Sequence, residues 1–400
     1  METIRKIISQ NNINHFYHLP KAIYANTIFG FPGKKLKVIG VTGTDGKTTT
    51  VNMIYQILKS AGKKVSMVST VNAVIAGKEY DTGFHVTSPD PLAIQKFTQR
   101  ALKNGDEYLV LEVTSHALDQ LRFWGIKFKV GVITNITHEH LDYHKTFENY
   151  LKTKLSLLKN IEYAIVNTNL KPFMKDLNIS RLLTFGLKEG DFNNKDINLK
   201  LKLPGNYNIE NALAALGVAF VLGIDRKVAQ KTLENFTPVK GRMQEIKNKR
   251  GIRVVVDFAH TPNALEQVLG TLRLSAEGRL IALFGSAGKR DIKKRELMGE
   301  VGKKMADFVI VAPEDPRGEL VLINQQIQKG IEKAGGILNR SFFVINDREE
   351  AINFAINSLS RRGDTIGIFG KGHEKSLNLD GKTELPWSDQ EAVEKVLSNG

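Results

Sequence analysis

The residues best suited to chemistry begin with Gly43-Thr44-Asp45-Gly46-Lys47-Thr48-Thr49, set between an apolar β-branched run, Leu36 to Val41, and an amphipathic stretch, Thr48 to Ser60. A glycine-rich loop that leaves a strand and enters a helix is a phosphate cradle, because backbone N–H groups and the helix dipole face the anion. In such a loop Lys47 reaches the terminal phosphates and Thr48 can ligate magnesium. The spacing departs from GxxxxGK[ST], since Val41 stands where that pattern has its first glycine. The strand before and the helix after still point to nucleotide binding; the plain alternative is a glycine turn that merely enters a helix.

Two further clusters follow predicted strands. Glu112-Val113-Thr114-Ser115-His116 closes one strand, where ligands gather in open parallel sheets, and Glu112 is a carboxylate where magnesium bound to ATP needs one. Asn135, His138, Glu139, His140, Asp142 and His144 follow another, a density of His and acid unusual for a plain loop. Taken singly, such residues are more often solvated or capping a helix. Zinc is possible by ligand type, yet no HxxxH pair with a third ligand is organised, so magnesium-nucleotide chemistry ranks above it.

The elements that must position these groups alternate. Leu36 to Val41, Val65 to Val71, Tyr108 to Val113, Val130 to Asn135 and Tyr163 to Asn167 read as buried strands, with helical patterns at Thr48 to Ser60, Pro91 to Lys103 and Thr146 to Lys159. That is β/α alternation, hence a parallel sheet covered by helices. A second series runs through Arg253 to Asp257, Arg279 to Phe284, Phe308 to Ala312, Phe342 to Ile345 and Asp364 to Phe369. The break falls at Thr237-Pro238-Val239-Lys240-Gly241, after a helix that starts around Asn208. The division expected is a short N-terminal segment, residues 1–35, and two α/β domains, 36–238 and 239–400.

Composition narrows the class. The 400 residues are 42% hydrophobic and 25% charged, which excludes disorder, collagen and coiled coil. The chain has no cysteine, so there is no disulfide framework, zinc ribbon or thiol nucleophile. No window approaches the roughly 18 consecutive apolar residues of a membrane span, and Met1 to Asn12 lacks a signal-peptide core, so a cytoplasmic protein without a membrane partner is expected. The formal charge of +15 favours a polyanionic partner, but the lysines are spread along the chain, which argues against nucleic acid. The densest basic run, Lys293-Lys294-Arg295, reads as a solvated helix start.

Five ordered motifs carry a resemblance. Gly43-Thr-Asp-Gly-Lys-Thr-Thr, Glu112-Val-Thr-Ser-His, Thr134-Asn-Ile-Thr-His-Glu-His-Leu-Asp-Tyr-His, Gly205-Asn-Tyr-Asn-Ile-Glu-Asn-Ala and Asp257-Phe-Ala-His-Thr-Pro resemble the Mur ligase family, from about Ala25 to the C-terminus. Ser-His-Ala-Leu-Asp-Gln, His-Leu-Asp-Tyr-His, Ala-His-Thr-Pro and Gly-Lys-Gly-His-Glu are similar to its MurE branch. The fold implied is a P-loop ATPase central domain with a mostly parallel sheet, followed by a Rossmann-like C-terminal domain. The activity implied is an ATP-dependent amide ligase that adds an amino acid to a muramoyl-dipeptide through an acyl phosphate, for peptidoglycan.

The resemblance also implies roles. Gly43, Thr44, Asp45, Gly46, Lys47, Thr48 and Thr49 would bind ATP with Mg2+, and Asn135 would join them. Glu112 and His140 would hold a second metal ion, with Lys154 carbamylated beside it; without the family Lys154 is a surface lysine. Asn208 and Asn211 would lie by the adenine, with Arg242 and Asp257 on the nucleotide side; read alone, Asn208 is a helix N-cap. Thr87, Ser88, Thr114, Gln120 and Arg122 would contact the acceptor, and a guanidinium such as Arg122 suits a carboxylate or phosphate. Arg290, Asp315, Arg317, Gly370 and Glu374 fall after successive strands and would share one rim for the added amino acid. There Arg317 would grip a distal carboxylate and Glu374 a distal ammonium, as in diaminopimelate. The motif Glu314-Asp315-Pro316-Arg317 keeps the arginine of the family's Asp-Asn-Pro-Arg, so the expected amino acid leans toward diaminopimelate, with the extra acid at Asp315 leaving a cationic side chain such as lysine as the alternative.

The larger departure is at the N-terminus, where Met1 to Gly33 is too short for the separate uridine-nucleotide domain the family carries. Few UDP contacts, an acceptor without UDP, or a protein partner that supplies the surface would each account for it. The readings that compete with a muramoyl-dipeptide ligase are a folylpolyglutamate or cyanophycin synthetase-like ligase and a non-catalytic ATP-binding scaffold.

Overall fold

The computed structural model describes residues 10–80, 88–175, 177 and 179–398, which form two compact units. The first runs to Thr237 except for two short pieces, Glu139–Tyr143 and Leu203–Gly205, which group with Pro238–Gly400 in the second.

The first unit is built on a sheet whose described strands are β1 (Lys37–Thr42), β2 (Val65–Val68), β3 (Ala73–Ile75), β4 (Lys78–Tyr80), β5 (Tyr108–Glu112), β6 (Phe128–Ile133), β7 (Tyr163–Asn167), β8 (Leu182–Gly186) and β9 (Phe192–Asn193). Their order is β4-β3-β2-β5-β1-β6-β7-β8-β9. Pairing is parallel from β2 to β9, and the β2-β3-β4 edge is antiparallel. Val38, Ile39 and Val41 of β1 are fully buried, as a central parallel strand covered on both faces requires. The chain goes from β1 to one side through β2 and β5, then crosses to β6 on the other. That is a topological switch point, and the crevice beyond the carboxyl end of β1 is where such sheets take ligands.

Register does the positioning. Val41 pairs with Glu112 of β5 and with Val132 of β6, so the end of β1, the Glu112 carboxylate and the segment after β6 meet at one place. The helix Lys47–Ser60 starts directly from the loop, with Gly46 as its N-cap. It packs against the helix Asn206–Val221, whose run from Ala212 to Ala219 is buried and rich in alanine, which lets the backbones approach closely. Asn208 is the third residue of that helix, not its cap, so the N-cap reading is corrected. The helix Pro91–Lys103 does show the expected start, with Asp90 accepting from the Ala93 N–H at 2.9 Å and Pro91 in first position. Upstream, the helix Leu19–Phe29 is anchored through buried Asn26, which donates to the carbonyls of Ala22 and Trp124.

Expected element bounds shift by a few residues. The strand beginning at Val65 stops at Val68, the one expected from Val130 starts at Phe128, and the helix from Phe147 ends at Leu155 in a 3-10 turn, Ser156–Leu158. The three-residue strands β3 and β4 are too short to leave a period in the sequence.

The second unit has β10 (Gln244–Ile246), β11 (Arg253–Asp257), β12 (Leu280–Phe284), β13 (Phe308–Val311), β14 (Phe342–Val344) and β15 (Thr365–Phe369), in the order β10-β11-β15-β12-β13-β14. Only β10 runs antiparallel among these. Lys294 and Arg295 are buried rather than solvated, contrary to the sequence expectation. Their ammonium and guanidinium groups are taken up by the His260 carbonyl at 2.8 Å, by Gln326 at 2.8 Å and by Glu319 at 3.0 Å. Among the described residues, no helix is long and apolar enough to cross a membrane.

A fully buried ion pair ties this sheet to the C-terminal helix, Asp389–Ser398. Arg348 makes two bonds of 2.7 Å to Asp389 and also donates to the carbonyls of Pro313 (2.8 Å) and Phe369 (2.9 Å), while the Trp387 indole N–H donates to the same aspartate. Removing one partner strands a buried charge. Arg348→Met is therefore expected to lower the unfolding free energy by about 3–5 kcal/mol. Urea denaturation checks this, and a loss below about 1 kcal/mol would contradict a structural role for the pair.

Candidate active site

The loop after β1 is held from outside. Thr44 N–H donates to the Asn135 carbonyl at 2.9 Å and Asp45 N–H to the Asn135 side chain at 3.0 Å, while Thr134 and Asn135 donate back to the Asp45 carbonyl. Asn135 thus clamps the loop. A Cβ on Gly43 would stand 1.8 Å from Thr134 Oγ1, and one on Gly46 would stand 2.2 Å from Asn211 Oδ1. Gly46 also has φ of 80°, a conformation that disfavours side chains. Both glycines are required by close approach. Lys47 folds back to donate to the carbonyls of Gly43 (3.0 Å) and Thr44 (2.7 Å).

Thr48 Oγ1 lies 3.1 and 3.0 Å from the two Glu112 oxygens, and Glu112 further accepts from the N–H (2.9 Å) and hydroxyl (2.7 Å) of Thr70. Three donors onto one buried carboxylate, the Thr48 hydroxyl and the Thr70 N–H and hydroxyl, hold it in a single orientation at the start of the helix. The donor set, a hydroxyl and a carboxylate below a phosphate cradle, fits Mg2+ bound with ATP.

Lys154 is buried, 2% exposed, so the surface-lysine alternative falls. Its ammonium donates to the Gly43 carbonyl at 2.7 Å and lies 4.6 Å above the Tyr150 ring, whose hydroxyl is 3.0 Å from Thr44 Oγ1. Tyr150, unmarked by any motif in the sequence, therefore links Lys154 to the loop. Asn211 approaches the loop at Gly46, and its amide contacts Asn208 at 3.4 Å. Thr49 is buried in the first turn of the same helix.

On the acceptor side, Ser88 Oγ donates to the Glu112 carbonyl at 3.2 Å and meets Thr114 Oγ1 at 3.1 Å. Thr114 also caps the helix Ser115–Asp119. Arg122 donates to Gln120 through Nε (3.0 Å) and Nη2 (2.7 Å), and through Nη1 to the Ser88 carbonyl. Four of the five expected acceptor residues are thus joined. The fifth, Thr87, lies outside the described residues.

In the second unit, Asp257 accepts from the N–H groups of Met243 (2.6 Å) and Ala259 (2.8 Å), and the Arg242 guanidinium lies 4.5 Å over the Phe258 ring. Burial raises the Asp257 pKa more than Arg242 and the two N–H groups lower it. His140, whose Nε2 lies 3.5 Å from Glu139, belongs to this unit, whereas Glu112 and Lys154 belong to the first. His140 has φ of 56°, a left-handed backbone that a neighbouring structure must enforce. Glu139 is engaged by His260 at 3.1 Å. Burial alone would raise Glu139, but His140, His260 and Lys294 outweigh it and hold its carboxyl well below the usual carboxylate range. Among the described residues, no group of three or more His, Asp or Glu side chains forms a metal cage by itself.

Asp315, Arg317 and Glu374 of the expected rim are joined through Lys371. Asp315 accepts from Lys371 Nζ and from Asn378 N–H, both at 2.9 Å, lies 3.6 Å from Arg317, and through its carbonyl accepts from Gly288 N–H at 2.8 Å. Lys371 also pairs with Glu374 at 2.6 Å. Arg290 is half-buried in the loop after β12. A Cβ on Gly370 would stand 2.7 Å from Glu314 Oε2, an oxygen that accepts no hydrogen bond among the described residues. Burial raises the Glu314 pKa despite Lys294, His260 and Lys371 nearby. The sequence alone assigns no role to Lys371, Glu314 or His260, although all three stand within its motifs.

His373 is pushed from 6.5 to about 3, first by burial and then by Arg242. The folded chain keeps this ring neutral where the unfolded chain takes up a proton. Its contribution to stability is complete above pH 6.5 and is lost as pH falls towards 3. His373→Asn is expected to flatten the fall of unfolding free energy with acidity in that window; an unchanged slope would show that another group governs it.

Comparison with known proteins fits this geometry. Residues 41–219 match the Mur ligase middle domain, and 241–372 match the Mur ligase glutamate ligase domain. The chain is 35% identical over 400 residues to a UDP-N-acetylmuramoyl-L-alanyl-D-glutamate--2,6-diaminopimelate ligase of Clostridium botulinum, covering 94% of this chain and 81% of that protein. It is 35% identical over 404 residues to a UDP-N-acetylmuramyl-tripeptide synthetase of Borreliella afzelii, with 94% and 79% covered. A solved UDP-N-acetylmuramoyl-L-alanyl-D-glutamate--2,6-diaminopimelate ligase superposes with a TM-score of 0.59 at 28% identity, over 97% of this chain and 83% of that one. With its loop, carboxylate and rim in the family's order, the chain belongs to the Mur ligase family of ATP-dependent acid–amino-acid ligases.

Proposed function

We propose that the chain joins diaminopimelate to the D-glutamyl carboxylate of UDP-linked muramoyl-dipeptide at the expense of ATP, in the cytoplasm and on small-molecule substrates alone. The observation that carries the reading is the Thr48 hydroxyl set against both oxygens of Glu112 at the mouth of the glycine loop. Thr48 and Glu112 would hold Mg2+ with ATP, and a carbamate on Lys154 would add a second carboxylate-like oxygen donor within the same unit. Bound there, the metal supplies neutralisation of phosphate charge.

The acceptor carboxylate attacks the γ-phosphorus, ADP leaves, and an acyl phosphate results. Lys47 is poised to leave the Gly43 and Thr44 carbonyls for the phosphoryl oxygens, where its charge is worth most as negative charge redistributes. Arg122, fixed by Gln120 and Ser88, orients the acceptor as a fork does a carboxylate. The incoming amine then attacks the acyl carbon, and the tetrahedral intermediate expels phosphate. On the rim, Asp315 is already neutralised by Lys371 and Arg317, which removes the sequence argument for lysine and supports a distal zwitterion read by Arg317 and Glu374.

Mass spectrometry of products from ATP, magnesium, UDP-muramoyl-dipeptide and a pool of diaminopimelate, lysine and ornithine tests the reading. A single tripeptide containing diaminopimelate is expected; turnover with a folate or another acceptor alone would refute it, and ATP binding without phosphate release would favour a scaffold. Lys47→Ala is expected to cut turnover roughly a thousandfold or more with the fold intact. Lys154→Ala is expected to be inactive and partly restored by short carboxylates, whereas full activity would eliminate the carbamate.

A further inference from the structure

Lys371 is fully buried, yet it carries a charge between two carboxylates, Asp315 at 2.9 Å and Glu374 at 2.6 Å. Burial lowers the pKa of an ammonium, but Glu374 and Asp315 outweigh it and leave Lys371 raised, so it stays charged. Its position is rigid. Arg348 grips the carbonyls of Pro313 and Phe369, the residues just before Glu314-Asp315 and Gly370-Lys371, and so holds both rim loops from behind. Asn378 N–H fixes Asp315 from a third side.

The charge balance of this rim decides what it can bind. Around Lys371 two carboxylates, Asp315 and Glu374, meet two cations, Lys371 and Arg317, while burial pushes Glu314, behind Gly370, towards its neutral form; the side chains of Arg317 and Glu374 retain partial exposure, 21% and 18%. A side chain ending in both an ammonium and a carboxylate leaves such a rim neutral and pairs with Glu374 and Arg317 together. A lone ammonium would add an uncompensated charge beside the buried Lys371 and bring no carboxylate to Arg317, which shares Asp315 with Lys371.

Resting on the reading that this rim receives the added amino acid, we infer that Lys371 is a specificity-determining residue: by cancelling Asp315 it excludes amino acids with a lone distal ammonium and favours those with a distal zwitterion. Selection is then achieved as much by repulsion of the wrong substrate as by attraction of the right one. Lys371 acts through Asp315 and Glu374 rather than as a base or nucleophile.

The experiment is competition between diaminopimelate and lysine at equal concentration, read by mass spectrometry of the tripeptides, with KM for ATP as a control. Lys371→Met is expected to move the product ratio towards lysine by at least about tenfold with KM for ATP unchanged, because two carboxylates then face one guanidinium. Asp315→Asn with Lys371→Met is expected to bring the ratio most of the way back. Asp315→Asn alone, which keeps the cation and serves if Lys371→Met does not fold, is expected to depress lysine addition further. Ratios within about twofold of wild type in these folded variants, or an equal fall for both amino acids, would overturn the assignment of Lys371. A wild-type protein that adds no amino acid at all would overturn the reading of the rim itself, a result distinguishable from the first.

Discussion

Two ammonium groups, those of Lys47 and Lys154, converge on the carbonyl oxygen of Gly43, and the first unit is arranged so that this can happen. A buried ammonium is tolerated only where oxygen or an aromatic face replaces water. The loop supplies the oxygen because Gly43 and Gly46 let its backbone turn between Thr134 and Asn211. Tyr150 supplies the face. Parallel register then brings Glu112 level with the end of β1, beside the Thr48 hydroxyl and the loop that both ammonium groups hold.

The second unit solves a related problem with side chains. Its strands deliver Asp257, Glu314-Asp315 and Gly370-Lys371 at their carboxyl ends, where carbonyls and carboxylates accumulate. Arg348 and Lys371 counter that accumulation from inside the protein, one by gripping backbone carbonyls and Asp389, the other by neutralising Asp315 and Glu374. Such internal cations add little net stability over a packed apolar core, but they fix the geometry of the loops that carry Glu314-Asp315 and Gly370-Lys371. Glu314 is the exception, a buried carboxylate with one oxygen that accepts no hydrogen bond among the described residues.

Among the described residues, left-handed backbone occurs at eleven non-glycine positions, a few of them in these loops. His140, Lys289 and Arg317 all adopt left-handed backbone conformations outside glycine. Each such residue costs on the order of 1–3 kcal/mol and persists only where its surroundings impose it; His140 and Arg317 are two that the sequence marks as candidate site residues. The segment bearing His140 groups with the second unit although the chain on either side of it belongs to the first, an arrangement no local pattern announces.

The sequence by itself determined the two α/β series, the phosphate loop and the order of the motifs, because buried parallel strands are written as continuous apolar runs and a glycine loop is local. It marked Glu112, Lys47 and Arg317 by type and place. The partners of those residues were decided only by tertiary structure. Whether Lys154 lies in solvent or above Tyr150, whether Asn208 caps a helix or sits within it, and whether Asp315 invites a cation or is already paired depend on residues far apart in the chain. Lys371 stands 56 positions from Asp315, and nothing in either local sequence records that their charges cancel. Charge compensation is a property of distance in space, and the strands that set this distance owe their register to the core rather than to the charged residues.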